Sequence, residues 1–276
     1  MYVSLVCRHI AIKERQNIMK VDRIRQIYEM LKEEQTISIN KLCDSFQVSK
    51  NTIRRDIAEL EKDGLVKKVY GGIVLQRLSD MSPEPFSARE VKNSESKKKV
   101  AQIAASMVGN NEVIFIDSGT TTMHMMPLLA DRVGLTVITT SVFVINAASS
   151  CPNINVIATG GSLYTPSQAF VGPSVLSCLT HYNISKIFLA STGISIESGA
   201  TNASPMECEV KQRLMKKPAE KFLLIDHTKL DKASLMTYTP LKDLDYVIID
   251  SMPPQKYVDF FAQNSVKLLT EMPKEL

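Results

Sequence analysis

The sequence lacks several features that would place it in common classes of protein. It contains no apolar run of about 18 residues, so no segment is long enough to span a membrane as a helix. Its five cysteines are odd in number and scattered, without a Cys-x-x-Cys pair, which fits neither a disulfide framework nor a zinc site. We therefore predict a reducing, cytoplasmic environment. The formal net charge of only +4 identifies no partner by itself.

The first 18 residues differ from the rest of the chain. Residues 2–7 form a short apolar run, but neither a basic leader nor a small-residue cleavage site accompanies it, so we expect no signal peptide. Met19 stands just before the first regular helix and is a candidate start of translation. We expect residues 1–18 to be dispensable. The total length of 276 residues is comfortable for two domains.

An amphipathic helix with a basic front is the main feature of the N-terminal part. Ile53, Ile57 and Leu60 repeat at helical spacing, which predicts one buried stripe. Asn51 and Arg55 then point almost directly away from that stripe. Short polar side chains and guanidinium groups on one face suit a DNA groove, where base edges and phosphates are contacted. The alternative is an ordinary surface helix, since arginine is common on solvated faces.

The segments around this helix favour a DNA-binding unit. Residues 21–31 carry apolar side chains at helical spacing, and Ser38 can cap a short helix over residues 39–46. Only three residues connect that helix to the basic one, which is typical of a helix-turn-helix. Two β-prone runs around a Gly-Gly turn follow within residues 65–75 and predict a hairpin wing. Residues 19–76 are therefore predicted to form a winged helix-turn-helix domain.

The polar residues of this domain take predicted roles from the same geometry. We expect Asn51, Thr52 and Arg55 to contact base edges of double-stranded operator DNA, and the lysines and Arg54 to bind phosphates. The predicted DNA contacts are Ser49, Lys50, Asn51, Thr52, Arg54, Arg55, Lys67, Lys68 and Tyr70.

The order of these residues is distinctive. The DNA-binding signature of the DeoR family of bacterial transcription regulators is similar to the residues Val48-Ser49, Thr52-Ile53-Arg54-Arg55-Asp56, Leu60-Glu61, Gly64-Leu65 and Gly71-Gly72. The resemblance extends without a gap from Val21 to Leu75. It departs at Tyr70, where the family usually has histidine. Tyrosine can still donate a hydrogen bond to a phosphate.

A linker and an α/β domain are predicted for the rest of the chain. Residues 77–93 are the predicted linker, because a polar, proline-bearing stretch disfavours regular structure. The Lys97-Lys98-Lys99 run is expected to begin a solvated helix over residues 100–108. Residues 94–276 alternate β-rich apolar runs with helical stretches, which predicts a largely parallel sheet. The predicted strands are residues 113–116, 135–138, 154–158, 187–190, 222–225 and 246–249.

Polar loops follow five of these strands. Ligands of such sheets bind beyond the carboxyl ends of the strands, where hydroxyls and glycines at a helix start offer donors to an anion. The same residue types also cap helices and form turns, which is the alternative. Glu207 and Lys211, four residues apart, predict either a surface ion pair on a helix or a lysine at the mouth of a phosphate pocket.

A second resemblance favours the binding site. Residues 117–122, 207–211 and 226–229 are similar to segments of the DeoR-family effector domain, which belongs to the fold group of ribose-5-phosphate isomerase and glucosamine-6-phosphate deaminase. Because family members generally sense phosphorylated sugars, the resemblance implies such an effector here. The chain departs at Thr140-Ser141, where the family often has Asn-Ser. The implied effector site comprises Asp117, Ser118, Gly119, Thr120, Thr121, Thr122, Thr140, Ser141, Gly160, Gly161, Gly193, Glu207, Lys211, Asp226 and Lys229.

We therefore predict a DNA-binding regulator, foremost a repressor of a carbohydrate-utilisation operon that a phosphorylated sugar releases from its operator. Dimers or tetramers would place two recognition helices on repeated half-sites. We expect no cofactor, no metal and no membrane partner. Two alternatives stay open. One is an isomerase or deaminase of sugar phosphates that uses Asp117, Glu207 and Lys211 as acid–base groups, and the other is an architectural DNA-binding protein whose second domain only oligomerises.

Overall fold

The computed structural model describes residues 20, 22–31, 33–34, 36–62, 66–69, 71–75 and 86–273. The chain divides into two compact units, residues 1–81 and residues 82–276. The division falls inside the stretch predicted as a linker, residues 77–93. The predictions for residues 1–18, Gly64 and Tyr70 lie outside the described residues.

In its described part, the first unit consists of three helices and a small sheet. Its elements are a helix over residues 22–31 (α1), β1 Thr36–Ser38, α2 Ile39–Phe46, α3 Lys50–Lys62, β2 Val66–Val69 and β3 Gly72–Leu75. Burial of a large aliphatic side chain contributes roughly 1.5–3 kcal/mol, so one shared core stabilises these short elements. Its buried members are Ile27, Leu31, Ile37, Leu42, Ile53, Ile57, Leu60, Val66 and Ile73.

A hairpin forms the predicted wing. β2 and β3 pair antiparallel, from Val66 opposite Leu75 to Val69 opposite Gly72. β1 pairs with the other side of β3 and completes a three-stranded sheet in the order β1-β3-β2. Gly72 is required here, because a Cβ would lie 2.5 Å from the carbonyl oxygen of Ile37. The sequence did not predict β1, whose three residues are too few to show the alternation of a strand.

A parallel sheet of seven strands forms the centre of the second unit, in the order β15-β14-β12-β9-β4-β5-β6. Every pair of neighbours in it is parallel, which confirms the predicted α/β fold. The helices of this unit are α4 Phe86–Val91, α5 Ser94–Ser106, α6 Val142–Ala148, α7 Pro173–Thr180, α8 Pro205–Met215 and α9 Gln255–Gln263, with 3₁₀ turns at Thr122–Leu129, His227–Lys229 and Leu241–Asp243. The strands are β4 Val113–Ile116, β5 Thr136–Thr139, β6 Asn155–Ala158, β7 Ser162–Tyr164, β8 Ala169–Val171, β9 Lys186–Ala190, β10 Gly193–Ser195, β11 Gly199–Asn202, β12 Glu220–Ile225, β13 Met236–Thr239, β14 Tyr246–Ile249 and β15 Lys267–Leu269.

Each of the six predicted strands agrees with an observed strand to within two residues. The additional strands are only three or four residues long. Among them, β10, β11 and β13 form a separate antiparallel sheet, and β7 pairs with β8. Strands this short leave no periodic pattern, so only the tertiary structure reveals them.

Apolar side chains cover both faces of the parallel sheet. Along β4, Ile114 and Ile116 belong to one buried cluster, whereas Phe115 between them belongs to the other. Successive side chains of a strand point to opposite faces, so a strand buried on both sides reads as a continuous apolar run. This explains why the sequence revealed the long strands so clearly.

The structure corrects the end of the predicted linker. Phe86–Val91 is helical (α4), and Phe86 is only 4% exposed. Its ring stacks on the ring of Phe143, with centroids 4.2 Å apart. This aromatic contact stabilises a helix of only six residues, which the polar stretch before it does not suggest.

A second correction concerns the lysine run. Lys97 is 2% exposed rather than solvated, while Lys98 and Lys99 are exposed as predicted. Lys97 Nζ donates to the carbonyl oxygen of Lys92 at 2.6 Å and to that of Arg89. The last carbonyls of a helix lack partners within the helix and carry partial negative charge. The buried ammonium therefore ties the end of α4 to α5.

Candidate DNA-binding surface and ligand pocket

Helix α3 is capped at its start and buried along one side. Ser49 Oγ accepts a hydrogen bond from the Thr52 amide at 3.2 Å and thereby caps the helix. Ile53, Ile57 and Leu60 are at most 2% exposed, which confirms the predicted stripe. The opposite face of α3 is therefore presented to solvent.

The exposed face of α3 carries available positive charge. Lys50, Arg54 and Arg55 are exposed, and none of them forms an ion pair with any residue that the structure describes. Lys67 on the wing is also exposed. Lys68 differs, because its ammonium pairs with the carboxylate of Glu61. A phosphate contact by Lys68 would have to replace that pair.

The acidic residue of the Thr-Ile-Arg-Arg-Asp motif has a structural role that the sequence did not reveal. Asp56 is 1% exposed and accepts two hydrogen bonds from Arg23, from Nε at 2.6 Å and from Nη2 at 3.1 Å. The hydrogen bonds that Arg23 donates to the Asp56 carboxylate raise the pKa of Arg23. This bidentate ion pair fastens α3 to α1 and so fixes the orientation of the exposed face.

The second unit contains a polar pocket at the carboxyl ends of β4 and β9. Its cavity volume is about 40 Å³. The sequence had placed eight of its lining residues in the candidate site, from three separate segments. The lining residues are Arg89, Asp117, Ser118, Gly119, Thr120, Thr121, Ala190, Ser191, Thr192, Asn202, Glu207, Lys211 and Lys229.

A buried ion pair forms the floor of the pocket. Lys211 Nζ lies 2.8 Å from Asp117 Oδ2, and both side chains are only 4% exposed. Lys211 also donates to the carbonyl oxygen of Ala190 at 2.6 Å and lies 5.1 Å from the centre of the Tyr238 ring. Burial, the largest single effect, lowers the pKa of Lys211, but the charge and hydrogen bond of Asp117 together with the charges of Tyr238 and Glu207 outweigh it, so the net pKa is raised. The alternative of a surface pair between Lys211 and Glu207 is therefore wrong, since the Lys211 ammonium lies in the pocket next to Asp117, directly after β4.

Glu207 lies beside this pair, on the first turn of α8. It is 9% exposed, and burial raises the pKa of its carboxyl group. The charges of Lys211 and Arg89 act in the opposite direction and favour the carboxylate. Glu207 thus provides an acceptor between two cations.

Three hydroxyls of the loop after β4 line the pocket without internal partners. Ser118, Thr120 and Thr121 are 3%, 7% and 5% exposed. None of their hydroxyl groups makes a hydrogen bond to another residue in the described part of the chain. Because these hydroxyl groups line the cavity and are not used in hydrogen bonds among the described residues, they are available to a bound ligand.

The shape of this loop depends on Gly119 and Thr122. Thr122 Oγ1 accepts from the Gly119 amide at 3.0 Å and donates to the carbonyl oxygen of Asp117 at 2.7 Å. A Cβ on Gly119 would lie 2.3 Å from the Cβ of Ala190 on β9. The absence of a side chain at Gly119 therefore lets the loop contact β9, and the hydrogen bonds of Thr122 stabilise the conformation of the loop.

The structure does not bring all predicted effector residues together. Seven lie outside the pocket lining, namely Thr122, Thr140, Ser141, Gly160, Gly161, Gly193 and Asp226. The pocket lies over β4 and β9, whereas β5 and β6 are further towards one edge of the sheet. The loops after β5 and β6 therefore end away from the cavity.

These outlying residues have local structural roles. Ser141 Oγ accepts from the Val144 amide at 3.3 Å and caps α6. A Cβ on Gly161 would lie 2.7 Å from the Val171 carbonyl oxygen, and one on Gly193 would lie 2.6 Å from that of Lys232. Capping accounts for Ser141, and close backbone approach accounts for Gly161 and Gly193, which agrees with the alternative that such residues cap helices and form turns.

Five lining residues were not among the predicted site residues, namely Arg89, Ala190, Ser191, Thr192 and Asn202, and two of them lie in segments where no site was expected. Arg89 lies in α4, inside the stretch taken for a linker, and Asn202 ends β11, one of the short strands. Signals were present but weak, since a lone Arg or Asn in a polar stretch is common. Only the tertiary structure brings them to the pocket.

Metal ligands, cysteine thiols and apolar helices could each indicate a different kind of function. Within the described ranges, no group of three or more His, Cys, Asp or Glu could hold a metal ion. The described cysteines are free thiols, and burial raises the pKa of Cys208. No described helix is both long and apolar enough to cross a membrane.

A capped, cation-bearing helix with a wing, followed by an α/β unit with a polar pocket, defines a DNA-binding regulator with a separate sensor domain. Comparison with known families agrees with this assignment. Residues 23–77 match the DeoR-like helix-turn-helix domain, and residues 92–251 match the DeoR C terminal sensor domain. The chain therefore belongs to the DeoR family of transcriptional regulators. It is not an enzyme, which removes the isomerase or deaminase alternative.

Relatives are similar over nearly the whole chain. The HTH-type transcriptional regulator IolR of Bacillus subtilis is 35% identical over 90% of this chain and 98% of its own length. The HTH-type transcriptional repressor GlcR of the same organism is 30% identical over 90% of this chain and 95% of its own. Among solved structures, ribose 5-phosphate isomerase A of Methanocaldococcus jannaschii is 18% identical at a TM-score of 0.38, over 50% of this chain and 55% of that chain.

Proposed function

We propose that this chain represses a carbohydrate-utilisation operon and leaves its operator when a phosphorylated sugar binds in the second unit. The observation that carries the proposal is the set of unpartnered hydroxyls of Ser118, Thr120 and Thr121, which share one cavity with Arg89 and Lys229. Hydroxyl donors at a helix start beside cations suit a phosphate group. Glu207 and the buried Asp117 add acceptors that suit sugar hydroxyls.

Repression is supported by the relatives and by the first unit. GlcR of B. subtilis is named a transcriptional repressor. Asn51, Thr52 and Arg55 would contact base edges of double-stranded DNA, and Lys50, Arg54 and Lys67 would contact phosphates. A homo-oligomer, a dimer or tetramer, would place two such helices on repeated half-sites in the cytoplasm.

The size of the cavity indicates how the ligand could act. About 40 Å³ accommodates a few water molecules at most, whereas ligand pockets usually have roughly 300 Å³ or more. We therefore propose that a wall of the pocket moves when a sugar phosphate binds. Arg89 supplies one wall from α4, and only residues 76–85 separate α4 from β3 of the DNA-binding unit. In this proposal, the opened pocket belongs to a conformation that binds the operator more weakly. A ligand that binds this conformation more tightly would increase its share of the protein molecules and so weaken operator binding.

Operator binding in the presence of sugar phosphates tests the proposal. An operator would first be selected from random duplexes with the purified full chain, and its affinity followed by fluorescence anisotropy at fixed salt. We expect one sugar monophosphate to weaken binding and its unphosphorylated parent to have no effect. At 100 times its Kd, that ligand should also stabilise the protein by roughly 2.7 kcal/mol, which a thermal-shift measurement detects.

A paired variant makes the test specific to the pocket. Ser118→Ala combined with Thr120→Val removes two hydroxyls without breaking a hydrogen bond among described residues, so the fold should be unaffected and the response lost. Thr180→Val is the control, because its hydroxyl bonds only to the Ser177 carbonyl oxygen and its neighbour His181, away from the pocket. Operator binding that no phosphorylated sugar changes would instead favour the architectural alternative.

A further inference from the structure

Asn202 lies on the wall of the pocket with its carboxamide oxygen already held. It is 6% exposed at the end of β11. Its Oδ1 accepts from the Thr192 hydroxyl at 2.9 Å and from the Ala203 amide at 2.8 Å. A backbone N–H can only donate, so the atom facing Ala203 must be the oxygen, which fixes the orientation of the amide group.

The amide nitrogen is left as a donor towards the pocket. No residue in the described part of the chain accepts a hydrogen bond from Asn202 Nδ2. Because both ordinary acceptor positions of Oδ1 are occupied, Asn202 can offer a ligand only N–H donors. It therefore selects an oxygen that accepts.

The support of Asn202 is rigid. The Thr192 amide donates to the carbonyl oxygen of Thr201 at 2.9 Å, so the residue that holds Oδ1 is itself fixed to β11. β11 pairs with β10 on one side and β13 on the other. Ser204, two residues later, caps α8 by accepting from the Glu207 amide at 3.3 Å. The donor is thus held in place before any ligand arrives, which lowers the entropic cost of binding.

We propose that Asn202 is a specificity-determining residue that donates from Nδ2 to a phosphoryl oxygen of the ligand, with Thr192 as its positioning residue. This inference rests on the proposed function, since it names how the same pocket recognises its ligand. A phosphoryl oxygen accepts only, and the neighbouring donors Ser118, Thr120 and Thr121 suit the same group. Sugar hydroxyls, which also donate, are left to the acceptors Glu207 and Asp117.

The test is Asn202→Asp in the full chain. The aspartate keeps an oxygen for Thr192 and Ala203, so the wall should keep its shape, but the two N–H donors are replaced by an acceptor. Asn110→Asp is a matched control, because Asn110 Oδ1 likewise accepts from a backbone amide, that of Val133 at 2.9 Å, and lies outside the pocket. Binding of inorganic phosphate and of a panel of sugar monophosphates with their parents would be measured by calorimetry and thermal shift.

We expect the native chain and Asn110→Asp to bind a phosphorylated compound equally, and Asn202→Asp to bind it about tenfold or more weakly. Thr192→Val should give a smaller loss, because the amide remains but is less well oriented. Cooperative unfolding of each variant in the absence of ligand shows whether it is folded. If Asn202→Asp does not fold, Thr192→Val provides the test. A loss of affinity for the phosphorylated compound supports the inference, and an unchanged affinity contradicts it.

Two other results would overturn the inference, and they differ. If Asn202→Asp binds the phosphorylated compound as tightly as the native chain, Asn202 does not recognise phosphate, while the proposed sensor function stands. If the native chain binds none of the phosphorylated compounds, the proposed function fails and the inference fails with it.

Discussion

The ion pair between Lys211 and Asp117 should be the most sensitive point of the second unit to substitution. In Lys211→Met, the Asp117 carboxylate keeps its hydrogen bond from the Ala190 amide at 2.9 Å but loses the ammonium group 2.8 Å away. Both side chains are only 4% exposed, so bulk water compensates little for the lost charge. Removal of one member of a buried pair typically costs about 3–5 kcal/mol.

A double variant distinguishes the cost of leaving one buried charge unpaired from the cost of removing the ion pair altogether. Asp117→Asn combined with Lys211→Met removes both charges, and an asparagine oxygen can still accept from the Ala190 amide. The Ala190 carbonyl oxygen keeps a donor, since the Tyr238 hydroxyl lies 3.1 Å away. Replacement of a buried pair by neutral groups is often nearly neutral, so the double variant should lie within about 1 kcal/mol of the native chain.

Urea unfolding of the full chain, followed by circular dichroism, measures these differences. For a unit of this size, about 4 kcal/mol corresponds to a fall of roughly 8–16 °C in Tm. Lys98→Met is the control, because Lys98 forms an exposed pair with Glu95 and should change stability by about 1 kcal/mol or less. A cost for Lys211→Met no larger than that of the control would refute the structural role of the pair.

The contribution of Lys211 should also depend on pH with a defined sign. The folded-state pKa of Lys211 is raised above its unfolded value of about 10.4. Its contribution is therefore fully present below that pH and is lost as the pH rises through the folded pKa. The difference in stability between the native chain and Lys211→Met should accordingly narrow only in strongly alkaline solution.

Three further predictions concern the DNA-binding surface and α4. On a mapped operator, Arg55→Ala should reduce the preference for the operator over other DNA sequences, whereas Lys67→Ala should weaken binding to all DNA and lower the dependence of log K on log salt by about 1. If anisotropy titrations show that both variants lose sequence preference equally, the assignment of Arg55 to bases and Lys67 to phosphates is wrong. Asp56→Asn breaks the bidentate ion pair with Arg23 and should lower the free energy of unfolding of the first unit by about 3–5 kcal/mol at most. Operator affinity should fall as well. An unfolding curve identical to that of the native chain would contradict the structural role of the pair. Lys97→Met removes the ammonium group that donates to two carbonyl oxygens at the end of α4. Limited proteolysis should therefore cleave the chain near α4 faster. A cleavage pattern like that of the native chain would show that these hydrogen bonds do not stabilise α4.

The winged helix-turn-helix could be predicted because its signals are local. Ile53, Ile57 and Leu60 repeat within one helix, and the cap Ser49 stands directly before it. The long strands of the α/β unit were equally visible, because burial on both faces requires continuous apolar runs. Asp56 shows the limit of such patterns, since the sequence assigned it no role and the structure places it in a buried pair with Arg23.

The pocket was only half visible in the sequence. The loop of Ser118 to Thr121 stood out as a cluster of hydroxyls after a strand, but equally polar loops after β5 and β6 end away from the cavity. Strand order decides which loops meet, and strand order is set by packing between distant segments. A pattern of residues along the chain does not contain it.

By itself, the sequence determined the family, the two kinds of domain and the chemical character of each surface. The tertiary structure decided that Lys211 pairs with Asp117 rather than Glu207, and that Arg89 and Asn202 join the pocket. The physical reason is range. Capping, helical periodicity and strand burial act between neighbouring residues, whereas a buried charge takes whichever partner the fold brings within about 3 Å, however far apart the two lie in the chain.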